Sequence, residues 1–365
     1  KLDLNAAITD LPVKSQLNEG EEFRATSGAA KALLAKTYLY ESTFAKNYPD
    51  DPRFEGMQQN WELALQHANA VIESGEYNLA DGTYNTWWDN SYLYPESTPG
   101  FRYVFTADGN HSHESVFSAI SLTQDIHYAY FGNNEISIFT AVRNFDYVYD
   151  DIEQNGGLGW GFYIPTQNLA DAFSEETGNP EDDARYHVTI GGEGDSVYAT
   201  TSNGNEWCAI NFNVYPEAID WSCRKYELSP SERNEMVSPY QSPISIPIIR
   251  YSDILLMAAE AALELGNTAD ALNYVNMVRT RARNSGTGEY PEDLPTITFE
   301  DIVKERRLEL ALEGHRFFDL LRWNSTHNIL NGFYVKTMDA TITYEPGIDD
   351  FLPQPTGLFG APDHI

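Results

Sequence analysis

The chain has 365 residues, 42% of them hydrophobic, enough for an ordinary core and for two or three domain-sized units or one large unit with insertions. Its 55 Asp and Glu against 23 Lys and Arg give a formal net charge of −32, a field that repels nucleic acid and anionic membrane surfaces but does not penalise a neutral ligand. No run approaches the ~20 apolar residues of a membrane span, and neither a signal peptide nor a cysteine stands near Lys1.

Residues 1–20 read as a helix followed by a loop, with Leu4, Ile8 and Leu11 forming an apolar face whose partner is not evident. Residues 21–80 hold a helical pair. The stretch from Ala29 to Tyr40 is rich in alanine, so another helix can approach closely, and Trp61, Ala64, Leu65, Ala68 and Ile72 share one face of its partner. Between residues 81 and 250 helical periodicity is mostly lost. Gly, Asn, Asp, Ser and aromatics dominate, with short apolar runs such as Ser115-Val116-Phe117-Ser118-Ala119-Ile120 and one helical candidate from Thr166 to Phe173. Irregular segments of this length are usually functional or disordered, and the aromatic content argues against disorder.

Helices return after residue 250. Leu255, Ala258, Ala262 and Leu265 fall on one face, Gly266-Asn267 supplies a left-handed stop, and Thr268 is placed to cap a helix with the stripe Ala271, Leu272, Val275 and Val278. That is a helix–turn–helix unit of about 34 residues, the length of a tetratricopeptide repeat. Two such hairpins are too few to stand alone, so other parts of the chain must cover them. Thr298-Phe299-Glu300-Asp301 is close to a capping box. The pairs Arg306/Glu309, Glu313/Arg316 and Asp319/Arg322 are three apart and can meet, contributing about 0–1 kcal/mol each if exposed. An ion-pair lock between helices explains them better than a catalytic carboxylate cluster, because helical carboxylates beside arginines are usually structural.

The ordered landmarks are Ile249-Arg250-Tyr251, Leu255-Leu256-Met257-Ala258-Ala259-Glu260-Ala261, Val278-Arg279-Thr280-Arg281-Ala282, Glu305-Arg306-Arg307-Leu308-Glu309-Leu310 and Glu313-Gly314-His315-Arg316-Phe317-Phe318-Asp319-Leu320-Leu321-Arg322-Trp323. Together with Arg24-Ala25-Thr26-Ser27-Gly28, Ser74-Gly75-Glu76-Tyr77, Glu114-Ser115-Val116-Phe117, Pro165-Thr166-Gln167-Asn168-Leu169 and Phe351-Leu352-Pro353, this string resembles the SusD/RagB family of surface nutrient-binding lipoproteins.

The resemblance implies a mainly α fold. Tetratricopeptide-like helical hairpins (1–80 and 251–365) would carry a large, irregular, loop-rich insertion with small β-strands (81–250), all in one compact unit. It also implies a binding protein, not an enzyme. Such a protein captures oligosaccharides or polysaccharides, or peptides in the RagB branch, and passes them to a SusC-like TonB-dependent transporter of the outer membrane. Its place would be the cell surface, with membrane contact only through an N-terminal lipid anchor absent from this chain. Two departures stand out: the chain begins inside what should be a helix, without the family's lipidated cysteine and further N-terminal part, and Gln354 replaces a usually apolar residue.

A glycan platform needs exposed aromatic rings for apolar sugar faces, with polar groups at the rim. The richest candidates are Tyr128, Tyr130, Phe131 and Asn133, followed by Arg143; next come Trp207 and Trp221 in two short strands, and Trp87 beside Trp88. Trp87 and Trp160, in Gly159-Trp160-Gly161, also match framework positions of the family. For every one of these rings, burial in the core is the competing explanation. Cys208 and Cys223, each in a short strand, are either two buried thiols or a disulfide across a hairpin closing a ~15-residue loop, worth about 3 kcal/mol. No cofactor is expected. A structural calcium on Asp146, Asp150 and Asp151, or on Asp182 and Asp183, competes with a solvated acidic surface. A glycoside hydrolase, with its two carboxylates, and a helical-repeat scaffold for a protein segment remain the alternative functions.

Overall fold

Helix α1 (Leu2–Asp10) leads into α2 (Ser27–Asn47), whose start is set by Thr26, a side-chain cap accepting from the amide of Ala29 at 3.1 Å. The small side chains of Ala29, Ala30, Ala32 and Ala35 are buried there, where α3 (Trp61–Ile72) packs close with Trp61, Ala64, Ala68 and Val71. Helix α1 lies on α2, which is the partner its apolar residues lacked in the sequence. The computed structural model describes all residues except 82, 85–97, 122–133, 144, 150–151, 156–158, 202, 213–219, 237–240, 287 and 351–365, and gives no side-chain detail for strand residues between 145 and 155.

Across the irregular region the elements are short. In order they are β1 (Thr83–Tyr84), β2 (Thr98–Pro99), α4 (Gly100–Tyr103), β3 (Ser115–Ala119), α5 (Ile136–Thr140), β4 (Phe145–Tyr149), β5 (Ile152–Asn155) and α6 (Gln167–Ser174). There follow α7 (Arg185–Thr189), β6 (Ile190–Gly191), β7 (Ser196–Thr201), β8 (Gly204–Ile210), β9 (Ser222–Cys223), α8 (Pro230–Glu235) and β10 (Ile246–Arg250). Strands β5-β4-β8-β7 form an antiparallel sheet in that order, while β3 pairs with β10 and β6 with β9. Val142, Val197, Ala199, Cys208 and Ile210 make a small core under the four-stranded sheet. The helical candidate near residue 170 is α6, capped by Thr166.

The last part holds α9 (Tyr251–Glu264), α10 (Thr268–Asn284), α11 (Phe299–Glu309), α12 (Arg316–Arg322) and α13 (Thr326–Leu330). The sequence suggests a one-sided stripe for α9. Instead residues 251–262 are all buried, because α9 packs against α2, α3, α10 and α11 and becomes the central helix. Gly266 ends it with φ at +79°. Thr268 is the first helical residue and not the cap; Asn267 holds that place without a side-chain bond. The capping box at Thr298 forms, with Asp301 returning the bond.

The charged residues form the lock between helices read from the sequence, but mostly with other partners and in the interior. Of the three pairs read from the sequence, only Asp319–Arg322 forms, at 2.9 Å, and it is buried. Arg306 reaches Asp253 (2.8 Å) and Asp319 (3.0 Å), and Arg322 also pairs with Glu260. Glu309 accepts from Arg250 (2.9 Å), Arg185 (3.3 Å) and Arg281. Glu114 on the strand side accepts from Arg250 (2.5 Å) and Arg281 (2.6 Å). Glu305 takes Arg185 (2.5 Å) and Arg279 (3.1 Å), while Glu313 takes Arg250 and Lys225, both at 2.7 Å, and leaves Arg316 to itself. Sequence neighbours lose to partners on other elements because a buried charge must be matched wherever the packed helices bring an opposite one. Burial alone would raise the Glu309 carboxyl, but Arg281, Arg250 and Arg185 outweigh it and hold the group well below its ordinary value. Asp253 is likewise held low, by Lys36, Arg306 and His315 against its burial.

This lattice reaches into the irregular region. Arg102 of α4 donates to the carbonyls of Arg224 (3.0 Å) and Glu227, and Lys225 donates to the carbonyls of Glu309 (3.1 Å) and Ala311 (2.8 Å). Arg185 fixes α7, and with it β6 and its partner β9, to α11. The segment 222–227 is therefore clamped from two sides by the ion-paired helices.

Candidate functional site

Ser222, Cys223 and Glu227 of the clamped segment line two adjoining hollows. The first is lined by Thr140, Val142, Arg143, Gly161, Phe162, Ile164, Phe212, Trp221, Ser222 and Cys223. The second is lined by Ile138, Ala141, Val142, Gly159, Val197, Tyr198, Ala199, Thr200, Cys223, Glu227 and Arg233. Val142 and Cys223 belong to both. Both hollows are open to solvent, and the first is walled mainly by apolar and aromatic groups, as ligand clefts are.

The segment 159–163 runs along them. Its backbone is held to α5 and the turn after it: Trp160 N donates to Ile138 O (3.0 Å), Phe162 N to Phe139 O (2.7 Å) and Gly161 N to Ala141 O (3.1 Å). Gly159 makes this approach possible, since a Cβ there would lie 2.2 Å from the Val142 carbonyl oxygen. Tyr163 takes a left-handed φ of 59°, rare for a residue with a side chain and typical of functional sites. The result is an aromatic group with its rings half in solvent. Trp160 is 45% exposed and Phe162 53%, and both rings pack on Phe139, at 4.8 and 6.0 Å between centroids. Adjacent exposed aromatics of this kind make the segment a candidate interaction surface. Trp160 therefore does not fill the framework role read from the sequence. The two glycines beside it lift its ring to the surface.

Arg143 and Trp221, two residues singled out in the sequence, meet across the first hollow. Trp221 is half-buried, donates from Nε1 to Gln167 at 3.2 Å and packs edge-on against Tyr186, so part of its role is structural. Trp207 stands apart from it. It lies on β8 opposite Tyr198, 41% exposed, whereas Trp221 precedes β9 in another sheet. The hairpin that would pair Cys208 with Cys223 is thus not formed, and the two buried cysteines share no disulfide. Burial pushes the Cys223 thiol up to about 11, which makes it unreactive. Tyr128, Tyr130, Phe131, Asn133 and Trp87 lie outside the described residues, as do Asp150, Asp151 and the side chain of Asp146. Asp183 is committed to Arg185 at 2.7 Å and Asp182 accepts from Asn179 at 3.0 Å; among the described residues no cluster of three His, Cys, Asp or Glu is arranged to hold a metal.

With a helical frame and an aromatic cleft in place, the family follows from one match: the SusD family profile covers residues 75–352. The chain belongs to the SusD family. SusD-like protein P38 of Formosa agariphila is 28% identical over 212 residues, 53% of this chain and 42% of that protein. SusD-like protein P2 of the same organism is 21% identical over 361 residues, 95% of this chain and 66% of its own length. Among solved structures, a SusD-like protein from Bacteroides fragilis superposes with a TM-score of 0.63 at 24% identity, over 90% of this chain and 59% of that one. Surface glycan-binding protein A from Bacteroides thetaiotaomicron, solved in complex with laminarihexaose, gives 0.65 at 19% identity, over 97% and 66%. These likenesses establish the helical, tetratricopeptide-like SusD fold, and the chain spans between about two fifths and two thirds of these relatives.

Within this SusD-family fold, the sequence reading missed Phe139, Phe162, Tyr163, Tyr198 and Arg233. For the segment 159–163 a signal existed: glycines on both sides of a tryptophan, followed by two more aromatics, mark a turn that displays rings. For Arg233 none did, because its surroundings are assembled from strands and turns far apart in the chain.

Proposed function

We propose that this SusD-family chain is a non-enzymatic oligosaccharide-binding protein, acting at the cell surface as a lipoprotein and delivering its ligand to a TonB-dependent transporter of the outer membrane. The observation that carries the reading is the half-exposed pair Trp160 and Phe162, backed by Phe139 and fixed by three backbone hydrogen bonds beside the Arg143–Trp221 hollow. Ring faces of this kind accept the apolar C–H face of a sugar, and Arg143, which lines the adjoining hollow, is of the residue type that donates to ring hydroxyls. The binding role of the laminarihexaose-bound relative supports the same reading.

Chemistry by paired carboxylates is not favoured. Among the described residues lining the two hollows the single carboxylate is Glu227, and it accepts from Arg224 at 2.8 Å. The reading needs no cofactor and no bound ion. A glycan array run beside a peptide library tests it. Retention of one or more oligosaccharides, recovered uncleaved, is expected; retention of peptides alone, or cleavage of the sugar, would contradict it.

A further inference from the structure

Arg233 is unlike the other buried arginines. Arg185, Arg250, Arg281 and Arg322 are each held by carboxylates, and Arg102 by carbonyl oxygens. Arg281 leaves Nε without a hydrogen-bond partner too, but its Nη groups are satisfied. Arg233 is 7% exposed, and among the described residues its Nε has no partner and its one side-chain hydrogen bond is a long one, from Nη1 to the Thr200 hydroxyl at 3.3 Å. It forms no ion pair with a described residue. Its position is deliberate in the sense that α8 is fixed by a capping box between Ser229 and Glu232. Glu227 shares the hollow, but its charge is matched by Arg224.

A guanidinium stays charged even where burial pushes its pKa down, as it does here against Glu227 and Glu232. A buried cation without a partner is unfavourable in the free protein and becomes favourable when an anion arrives. The hollow that Arg233 lines with Thr200 and Tyr198 also includes Gly159, the residue before Trp160. An oligosaccharide on the aromatic group that extends past Gly159 would reach the hollow that the guanidinium lines. The planar fork of Nε and Nη donors matches two oxygens of one oxyanion.

We propose that Arg233 receives an oxyanion carried on the sugar, a uronic-acid carboxylate or a sulfate ester, so that the chain selects acidic oligosaccharides; this rests on the oligosaccharide-binding reading above. The net charge of −32 opposes such a ligand at long range, so a preference for it has to come from a local group.

Calorimetric titration at physiological salt tests this with three probes: tetragalacturonate, the same tetramer with its carboxylates reduced to alcohols, and a sulfated galactotetraose. The wild-type protein is expected to bind one acidic probe at least about tenfold more tightly than the neutral one. Arg233→Met should abolish that preference, bringing acidic and neutral probes to within about twofold of each other, and not lower the melting midpoint, because it removes an unmatched charge and keeps the stem volume. Arg233→Lys, which keeps the charge and loses the fork, should retain part of the preference and provides the comparison if Arg233→Met does not fold. Equal or weaker wild-type binding of both acidic probes, or a preference that survives both substitutions, overturns the proposal. If the array retains no glycan of any kind, it is the oligosaccharide-binding reading that falls.

Discussion

Trp160 and Trp221 differ in how much of each ring the protein itself uses, and this gives opposite expectations for their removal. Trp160 is about half in solvent, so Trp160→Ala should lower oligosaccharide affinity by ~10-fold or more while changing stability by less than about 1 kcal/mol. Trp221 packs on Tyr186 and bonds Gln167, so Trp221→Ala should lose about 2 kcal/mol or more of stability in a denaturant titration. Equal stability losses for the two would mean that both rings are framework. At this scale the sequence was legible only in part. It picked out Arg143 and Trp221, which do share a hollow, and Trp207, which is exposed but lies on a separate strand face. It misread Trp160 because local spacing does not say whether a ring between two glycines points inward or outward. That depends on Gly159 docking against the Val142 carbonyl, a contact between residues seventeen positions apart.

At the scale of elements, the segment 159–163 and the segment 222–227 have to be held against each other, and different forces hold each. Gly159→Ala would drive a methyl group into the Val142 carbonyl, so the segment should shift and oligosaccharide affinity fall by about 10-fold or more, with the helical content by circular dichroism unchanged. Glu313→Gln removes the charge facing Arg250 and Lys225 in the interior and should cost about 3–5 kcal/mol in chemical unfolding. A loss below about 1 kcal/mol would show that the pairs behave as solvated surface pairs. The helices were readable because periodicity, caps and stops are local signals, as with Thr166, Gly266 and Thr298. The ion-pair partners were not, since Glu114 meets Arg281 and Arg185 meets Glu305 only once distant elements pack.

For the whole molecule the buried lattice sets how stability responds to acid. The carboxyls of Asp253, Glu309, Glu313 and Asp319 are held below their ordinary values by neighbouring cations that outweigh burial. In the unfolded chain such groups titrate near pH 4, so below that the unfolded state binds more protons and stability falls. The unfolding midpoint in urea should decline gently below about pH 7, where burial keeps His67, His111, His187 and His315 from taking up protons that they bind in the unfolded chain, and drop steeply below about pH 4.5. Relief of repulsion among exposed carboxylates acts the other way over the same range, but it is screened by salt and the buried groups dominate. A midpoint that rises on acidification would contradict this. The acidic excess and the mainly helical class were visible in the sequence, as was the likeness to SusD proteins; the path from ion-paired helices through Lys225 and Arg102 to the floor of a cleft needed the fold. In the proposed function the helical lattice holds an aromatic face that binds sugar. The most direct test is calorimetric titration of an array-retained oligosaccharide into the wild-type chain and into a Trp160→Ala/Phe162→Ala double variant. Binding by the wild type and its loss in a variant that still melts at the wild-type temperature is the predicted result. Undiminished affinity in the double variant would contradict it.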